Sequence, residues 1–250
     1  MLKVLKFDFY KIFKSRAIRI YFIISLFLCL FAPTVDIITS GNYSVWFLLA
    51  RGTMPQLIIV LFSVLLCTKD FTTDFIYNVY DSQNKFLYVL SKFLYLLFYT
   101  VLIYGVTFFL YFLFDKIFGI GAFYGEEYSD YMMGEKENMI YVFLSKVVGS
   151  LAFGTVLLFF SFLLKNAAVL LIATPIYMFL GEYIYNFIDF VVKKLFDSTI
   201  TIAKFTSFGA MNNLPINAPI SDSVSTLIVS SVYVVISLCL STLVFYRKKF

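Results

Sequence analysis

Six stretches of this chain are long and apolar enough to cross a bilayer as single helices, and no other feature narrows its possible folds so far. A hydrocarbon core about 30 Å thick requires about 20 consecutive, mostly apolar residues, with about 17–25 the usual range. The stretches run over 18–38, 52–68, 88–114, 140–164, 166–188 and 224–246. Within lipid a single segment must satisfy its own backbone hydrogen bonds, which selects the helix. The expected fold class is therefore all-α: a polytopic membrane protein with six transmembrane helices in one transmembrane domain, 1–250. A soluble fold that hides these runs in its core is excluded by composition. The chain is 61% hydrophobic and 14% charged, against about 45–50% and about 25% in ordinary soluble domains.

Local residues shape the spans. Pro55 opens the second, where its missing N–H costs nothing. The fourth and fifth nearly touch across Lys165-Asn166, which predicts a tight helical hairpin, and Pro175 predicts a kink in the fifth. The run beginning at Ile18 is too long for the apolar part of a signal peptide and lacks a small-residue cleavage site, so it is expected to be a retained span.

Charge gives the orientation. With the N-terminus inside, 13 of the 20 basic residues and 4 of the 15 acids fall on the inner side, a charge of +9, and the rest of the chain carries −4. Lys and Arg concentrate on the cytoplasmic side of membrane proteins, so both termini are expected to be cytoplasmic. The basic excess is thus topological, and nucleic acid is not expected as a partner. Cys29, Cys67 and Cys239 all lie in apolar runs, with no CxxC pair for a metal or redox site.

Three segments outside the spans carry patterns of their own. In residues 1–17, Leu2, Leu5, Phe9, Ile12 and Phe13 share one helical arc, and Lys3, Lys6, Lys11 and Lys14 share the opposite one. That predicts an N-terminal interfacial helix with Phe9 and Phe13 towards lipid and Lys11 and Lys14 among headgroups; a plain basic anchor for the first span reads the same residues. Between spans two and three, Phe71, Phe75 and Val79 line one face of a helix over 69–85 and Asp70, Asp74 and Asp81 line the next. Such an acidic face suits docking to a basic groove on a partner, and equally an ordinary solvated surface. Outside, 115–138 is acidic and glycine-rich, a solvated loop or an attractor of cationic peptides. The segment 189–223 is expected to form short interfacial or re-entrant helices.

Glu182 falls inside the fifth span, and Asp189 follows two turns later on the same face. A carboxylate at membrane depth marks a functional site by default, here a proton relay or a contact on a translocation path. The alternative places both near the outer end, in water or paired with Lys146, Lys193 or Lys194. Other chemistry is missing from the sequence. With no histidine in the chain there is no HExxH zinc site and no serine–histidine pair, and no GxxxxGK[ST] loop is present. No enzyme activity, metal or bound cofactor is expected.

Two stretches resemble a known family. FDFYKIFKSRAIRIYFII, with Lys11-Ile12-Phe13-Lys14-Ser15, and KDFTTDFIYNVYDSQNKFLYVLSKFL, with Asp74-Phe75, Lys85 and Lys92, are similar to the N-terminal interfacial and coupling segments of type-2 (ABC-2) permeases of ATP-binding-cassette exporters. Ile76-Tyr77-Asn78-Val79 stands where that family commonly has Gly-Thr-Ile. The resemblance implies a bacterial cytoplasmic-membrane permease subunit that pairs with an identical or different second permease subunit. ATP and magnesium would be bound by a separate ATPase, docked at Asp70, Phe71, Asp74, Phe75, Asp81 and Lys85. It further implies a path lined by spans one, two and five, and export of amphipathic or antimicrobial peptides, as in lantibiotic and phenol-soluble-modulin exporters, or of lipid-like molecules. A competing expectation is a membrane immunity or assembly protein that binds a peptide toxin without transporting it.

Overall fold

The computed structural model describes residues 10, 14, 16–40, 54–71, 85–118, 136–164, 167–196, 205–206, 214 and 218–247. Among them the regular elements are helices: α1 (Arg16–Ser40), α2 (Met54–Phe71), α3 (Lys85–Phe118), α4 (Lys136–Leu164), α5 (Ala167–Phe196) and α6 (Ile220–Arg247). Each follows one of the six apolar runs and overshoots most of its ends by a few residues. Within α3, α4 and α6, Lys85–Leu110, Ile140–Leu164 and Ile220–Arg247 are each long and apolar enough to cross a membrane. The described apolar parts of α1 and α2 are shorter, Ile18–Cys29 and Pro55–Leu66.

Helix α5 departs from expectation. It continues through Phe196, past the boundary expected at 188, and consists of two arms, Val169–Met178 and Tyr183–Leu195, at 63° to one another. Counted as one bent span, it brings the candidate crossings among the described residues to four. The bend lies beyond Pro175, where the kink was expected, and contains Gly181. Glycine is the weakest helix former after proline because it gives up the most backbone freedom, so the helix yields there.

Helix α4 is the hub, in contact with α6, α2, α3 and α5, while α1 packs on α3 and α2. Close approach of α3 and α4 depends on Gly154, where an added Cβ would stand 3.0 Å from Leu96 Cδ2. Small residues at helix crossings are the usual means of bringing backbones together where no hydrophobic force distinguishes neighbour from lipid. The main core draws on α1, α2, α3, α4 and α6, with Phe62, Tyr88, Leu96, Tyr99 and Phe245 fully buried. A second cluster joins α2, α4 and α5 through Val60, Val64, Phe153, Leu157, Leu170 and Tyr185.

On α6, and less completely on α3, the polarity is reversed relative to a soluble protein, while much of the rest of the core is apolar. On α6 the buried stripe is Ser223, Thr226, Ser230, Ser237, Ser241 and Phe245. The exposed stripe of the same helix carries Ile228, Val232, Val235, Ile236, Leu240 and Leu243. On α3, Leu97, Phe98, Val101, Phe109 and Phe112 face outward, while tyrosines, threonines and a lysine face inward. In water, burial gains about 25 cal/mol per Å² of apolar surface, and this sequence forgoes much of that gain on the large aliphatic side chains it turns outward. Such an arrangement suits a bundle whose solvent is hydrocarbon.

Candidate functional site

The inward-facing residues of α3 include Tyr88, Lys92, Tyr95, Tyr99, Tyr104 and Thr107, all buried. Tyr88, Lys92, Tyr95 and Tyr99 recur at successive turns and share one stripe of the helix, whereas Tyr104 stands about 140° and Thr107 about 80° round from Tyr99 at about 100° per residue, so the helix is enclosed on more than one side. From Tyr88 to Thr107 the rise is about 28 Å at 1.5 Å per residue, close to the thickness of a bilayer's hydrocarbon core.

At the Lys85 end these residues are set in rings. Lys92, 1% exposed, holds its ammonium 5.0 Å from the centre of the Tyr88 ring. Tyr88 stacks on Phe245 at 5.0 Å and meets Phe162 edge-on at 6.2 Å, and Phe162 meets Phe245 at 5.6 Å. Lys85 lies 5.5 Å from the centre of the Tyr246 ring. A cation over an aromatic face gains about 0.5–2 kcal/mol, more as water is removed. The start of α3 is in this way fastened to the C-terminal ends of α4 and α6.

In the middle, hydroxyls are committed to definite partners. Tyr99 donates to Ser25 Oγ at 2.8 Å, Ser25 donates to the Tyr21 carbonyl at 2.7 Å, and Tyr21 donates to the Ile58 carbonyl at 2.5 Å. Phe62 stacks on Tyr99 with ring centres 3.7 Å apart and leans on Tyr95 at 5.6 Å. Helices α1, α2 and α3 are joined here by hydrogen bonds as well as packing, and each such bond is worth about 0.5–1.5 kcal/mol net.

The far end is built from hydroxyls and carbonyls. Tyr104 Oη lies 2.8 Å from Ser150 Oγ and 3.3 Å from the Lys146 carbonyl, to which Ser150 donates at 2.7 Å. Gln56, in the first turn of α2, brings its side chain beside the Tyr104 hydroxyl. Its Oε1 is buried and accepts no hydrogen bond among the described residues. Lys146 is 6% exposed, although it stands about two turns inside the apolar window of α4. A neighbouring seam ties α4 to α6: Ser145 donates to the Ser223 carbonyl at 2.9 Å.

Among the described residues no carboxylate is buried and no three His, Cys, Asp or Glu side chains group closely enough to hold a metal ion. The buried set offers ring faces, hydroxyls and ammonium groups. Groups of this kind suit contact with an amphipathic molecule.

The residues singled out from sequence fall largely elsewhere. Asp70 and Phe71 end α2, but their side chains, together with Asp74, Phe75 and Asp81, lie outside the described residues. Lys85 is half-buried at the start of α3. Phe9, Lys11 and Phe13 lie outside the described residues, while Lys14 is exposed with its ammonium 4.9 Å from the Tyr10 ring centre. A hydrogen bond and a charge interaction with Tyr10 raise the Lys14 amine above its ordinary value. Glu182 belongs to α5 at the break between its arms, with its side chain outside the described set, and Asp189 is half-buried on the second arm.

Lys92 counted as an inner-edge base and Lys146 as an outer residue, and both are enclosed by neighbouring helices. One sequence signal pointed to Lys92: tyrosines at 88, 95 and 99 share its helical face inside an otherwise apolar run. Gln56 and Tyr104 gave no such signal, because their meeting depends on how α2, α3 and α4 pack. No protein-family model matches this chain, and no curated protein matches it.

Proposed function

We propose that this chain is a multi-pass permease subunit of an ATP-driven exporter in a bacterial cytoplasmic membrane, acting on amphipathic or antimicrobial peptides or lipid-like molecules. The observation that carries the reading is the set of buried tyrosines, lysine and threonine on α3 between Tyr88 and Thr107, which spans about the thickness of a bilayer core, inside helices whose outward faces are largely apolar. Polar side chains at membrane depth are costly, and they concentrate where a membrane protein contacts its cargo. Rings and ammonium groups together suit a cargo with an apolar body and a polar or charged end. In the closed packing of α1–α4 these groups contact one another, so passage requires the helices to part. With no nucleotide-binding loop in the sequence, the work of parting them falls to a partner ATPase docked at 69–85, and a second permease subunit completes the path. Glu182 and Asp189 would face that path or its outer mouth.

The test is to look for an ATPase encoded beside this chain and to reconstitute the two together. The expected result is that Asp70→Lys, Asp74→Lys and Asp81→Lys together abolish copurification of the ATPase and its stimulated ATP hydrolysis. Unchanged copurification and hydrolysis would overturn the coupled reading. Binding of a peptide toxin without ATP-dependent movement would point instead to a sequestering immunity protein.

A further inference from the structure

The outward face of the second arm of α5 differs from those of the middle stretches of α3 and α6. On α3 the exposed residues from Phe86 to Phe112 are all apolar, and on α6 those from Ile228 to Tyr246 are apolar apart from Ser231. On the arm, Asn186, Lys193 and Lys194 are exposed together with Tyr183, Phe187, Phe190 and Leu195, of which Tyr183, Phe187 and Leu195 are 73%, 67% and 70% exposed. At 100° per residue, Asn186 and Lys193 share one flank of that face. Phe190 lies beside them, Tyr183, Ile184, Phe187 and Leu195 spread across the rest, and Lys194 falls between Tyr183 and Phe187 at the terminal turn, where a long side chain can reach outward to water. The inner side of the arm is held by Tyr185, which is buried against the α2–α4 cluster and hydrogen-bonded through its hydroxyl to Tyr177 of the first arm.

Geometry limits where such an arm can lie. The first arm has ten residues and covers about 15 Å, roughly half of a hydrocarbon core. The second arm would cover about 20 Å if it continued straight, and at 63° it advances about 9 Å in that direction. With the first arm along the bilayer normal, the second runs aslant, with one flank able to face headgroups while the other faces acyl chains. Helices that expose aromatic rings and end in lysines settle at the boundary between headgroups and chains.

We infer that the second arm of α5, Tyr183–Leu195, is a membrane-surface helix that lies aslant in one leaflet and binds anionic phospholipid headgroups through Lys193 and Lys194. The inference rests on the membrane reading but not on the transport reading. Two lysines at the end of an exposed apolar helix complement phosphate charge, and each basic residue near an anionic surface contributes enough to favour anionic over neutral lipid about fivefold.

Depth-dependent fluorescence quenching tests both parts. In a Trp46→Phe background, a single tryptophan is placed by Tyr183→Trp, Phe187→Trp or Phe190→Trp, with Val235→Trp on α6 as control, in vesicles of phosphatidylcholine brominated at defined chain positions. The expected result is strong quenching of the control and depths for 183 and 190 that differ by about 5 Å. A difference of about 10 Å would mean a straight span and would overturn the inference, as would the absence of quenching on the arm alone. An unquenched control would overturn the membrane reading itself, and is a distinct outcome. With brominated phosphatidylglycerol mixed into phosphatidylcholine, the Phe190→Trp protein should favour the anionic lipid about fivefold or more, and Lys193→Gln with Lys194→Gln should abolish the preference. No preference before those substitutions, or one that survives them, would overturn the headgroup assignment.

Discussion

Helix α6 and the second arm of α5 both stand at the edge of the bundle, and both turn large apolar side chains outward. They differ in where they keep their polar residues. α6 buries serine and threonine against α4 and shows lipid an almost purely aliphatic face. The arm buries Tyr185, leaves Asp189 half-buried, and mixes asparagine and lysines into its exposed face. The contrast teaches that exposed apolar area alone does not tell how deep a helix lies. Depth is read from the polar residues: hidden inward they indicate hydrocarbon, and displayed on one flank they indicate the boundary with water.

The largest expected effect sharpens the contrast between anchored and exposed rings. Phe245→Ala on α6 removes a ring fully buried against Tyr88 and Phe162 and should cost about 3–5 kcal/mol in reversible unfolding from mixed detergent micelles. Phe187→Ala, on the exposed face of the arm, should change stability by less than about 0.5 kcal/mol. Similar losses at the two sites would break the distinction.

A smaller effect separates the two depths directly. Val235→Lys puts a charge at the centre of α6 and should reduce membrane insertion of that helix by about 2.5–3.5 kcal/mol, scored as the inserted fraction in a translation–insertion assay. Phe190→Lys, close to the headgroups, should cost much less in the same assay. Smaller still is Tyr104→Phe, which deletes the hydroxyl shared with Ser150 and the Lys146 carbonyl; a loss of about 1 kcal/mol is expected in the micelle unfolding measurement. Least of all is Ser230→Ala. Its hydroxyl is buried with no hydrogen-bond partner among the described residues, so stability should hold within about 0.5 kcal/mol or rise slightly, since an unsatisfied hydroxyl is lost. A drop comparable to that of Tyr104→Phe would show that the α4–α6 seam depends on Ser230.

Much of the architecture was legible because apolar run length is a one-dimensional property. Helices at 16–40, 54–71, 85–118, 136–164, 167–196 and 220–247 follow the apolar runs, since each run has to satisfy its own backbone hydrogen bonds. The bend in α5 was legible in kind and displaced in position. Pro175 drew attention because its ring and missing N–H disturb a helix, yet the helix turned near Gly181, where no side chain restrains the backbone. The buried set was legible only at Lys92, among tyrosines on one helix. Lys146 reads in sequence as an outer charge, and its enclosure depends on contacts that α4 makes with other helices. The inverted stripe of α6 was present in the spacing of Ser223, Thr226, Ser230, Ser237 and Ser241, but periodicity does not say which face of a helix turns inward when the solvent is lipid.

The reversed polarity of α6 is the central claim, and spin-label accessibility along it tests that claim most directly. Single labels are placed in turn at 228–243 in reconstituted vesicles, and relaxation by oxygen, which concentrates in lipid, is compared with relaxation by a water-soluble nickel complex. The account predicts oxygen accessibility that peaks at Ile228, Val232, Val235, Ile236 and Leu243, falls at Ser230, Ser237 and Ser241, and repeats about every 3.6 residues, with nickel accessibility low throughout. High nickel accessibility at Val232 and Val235 would place that face in water and contradict the account.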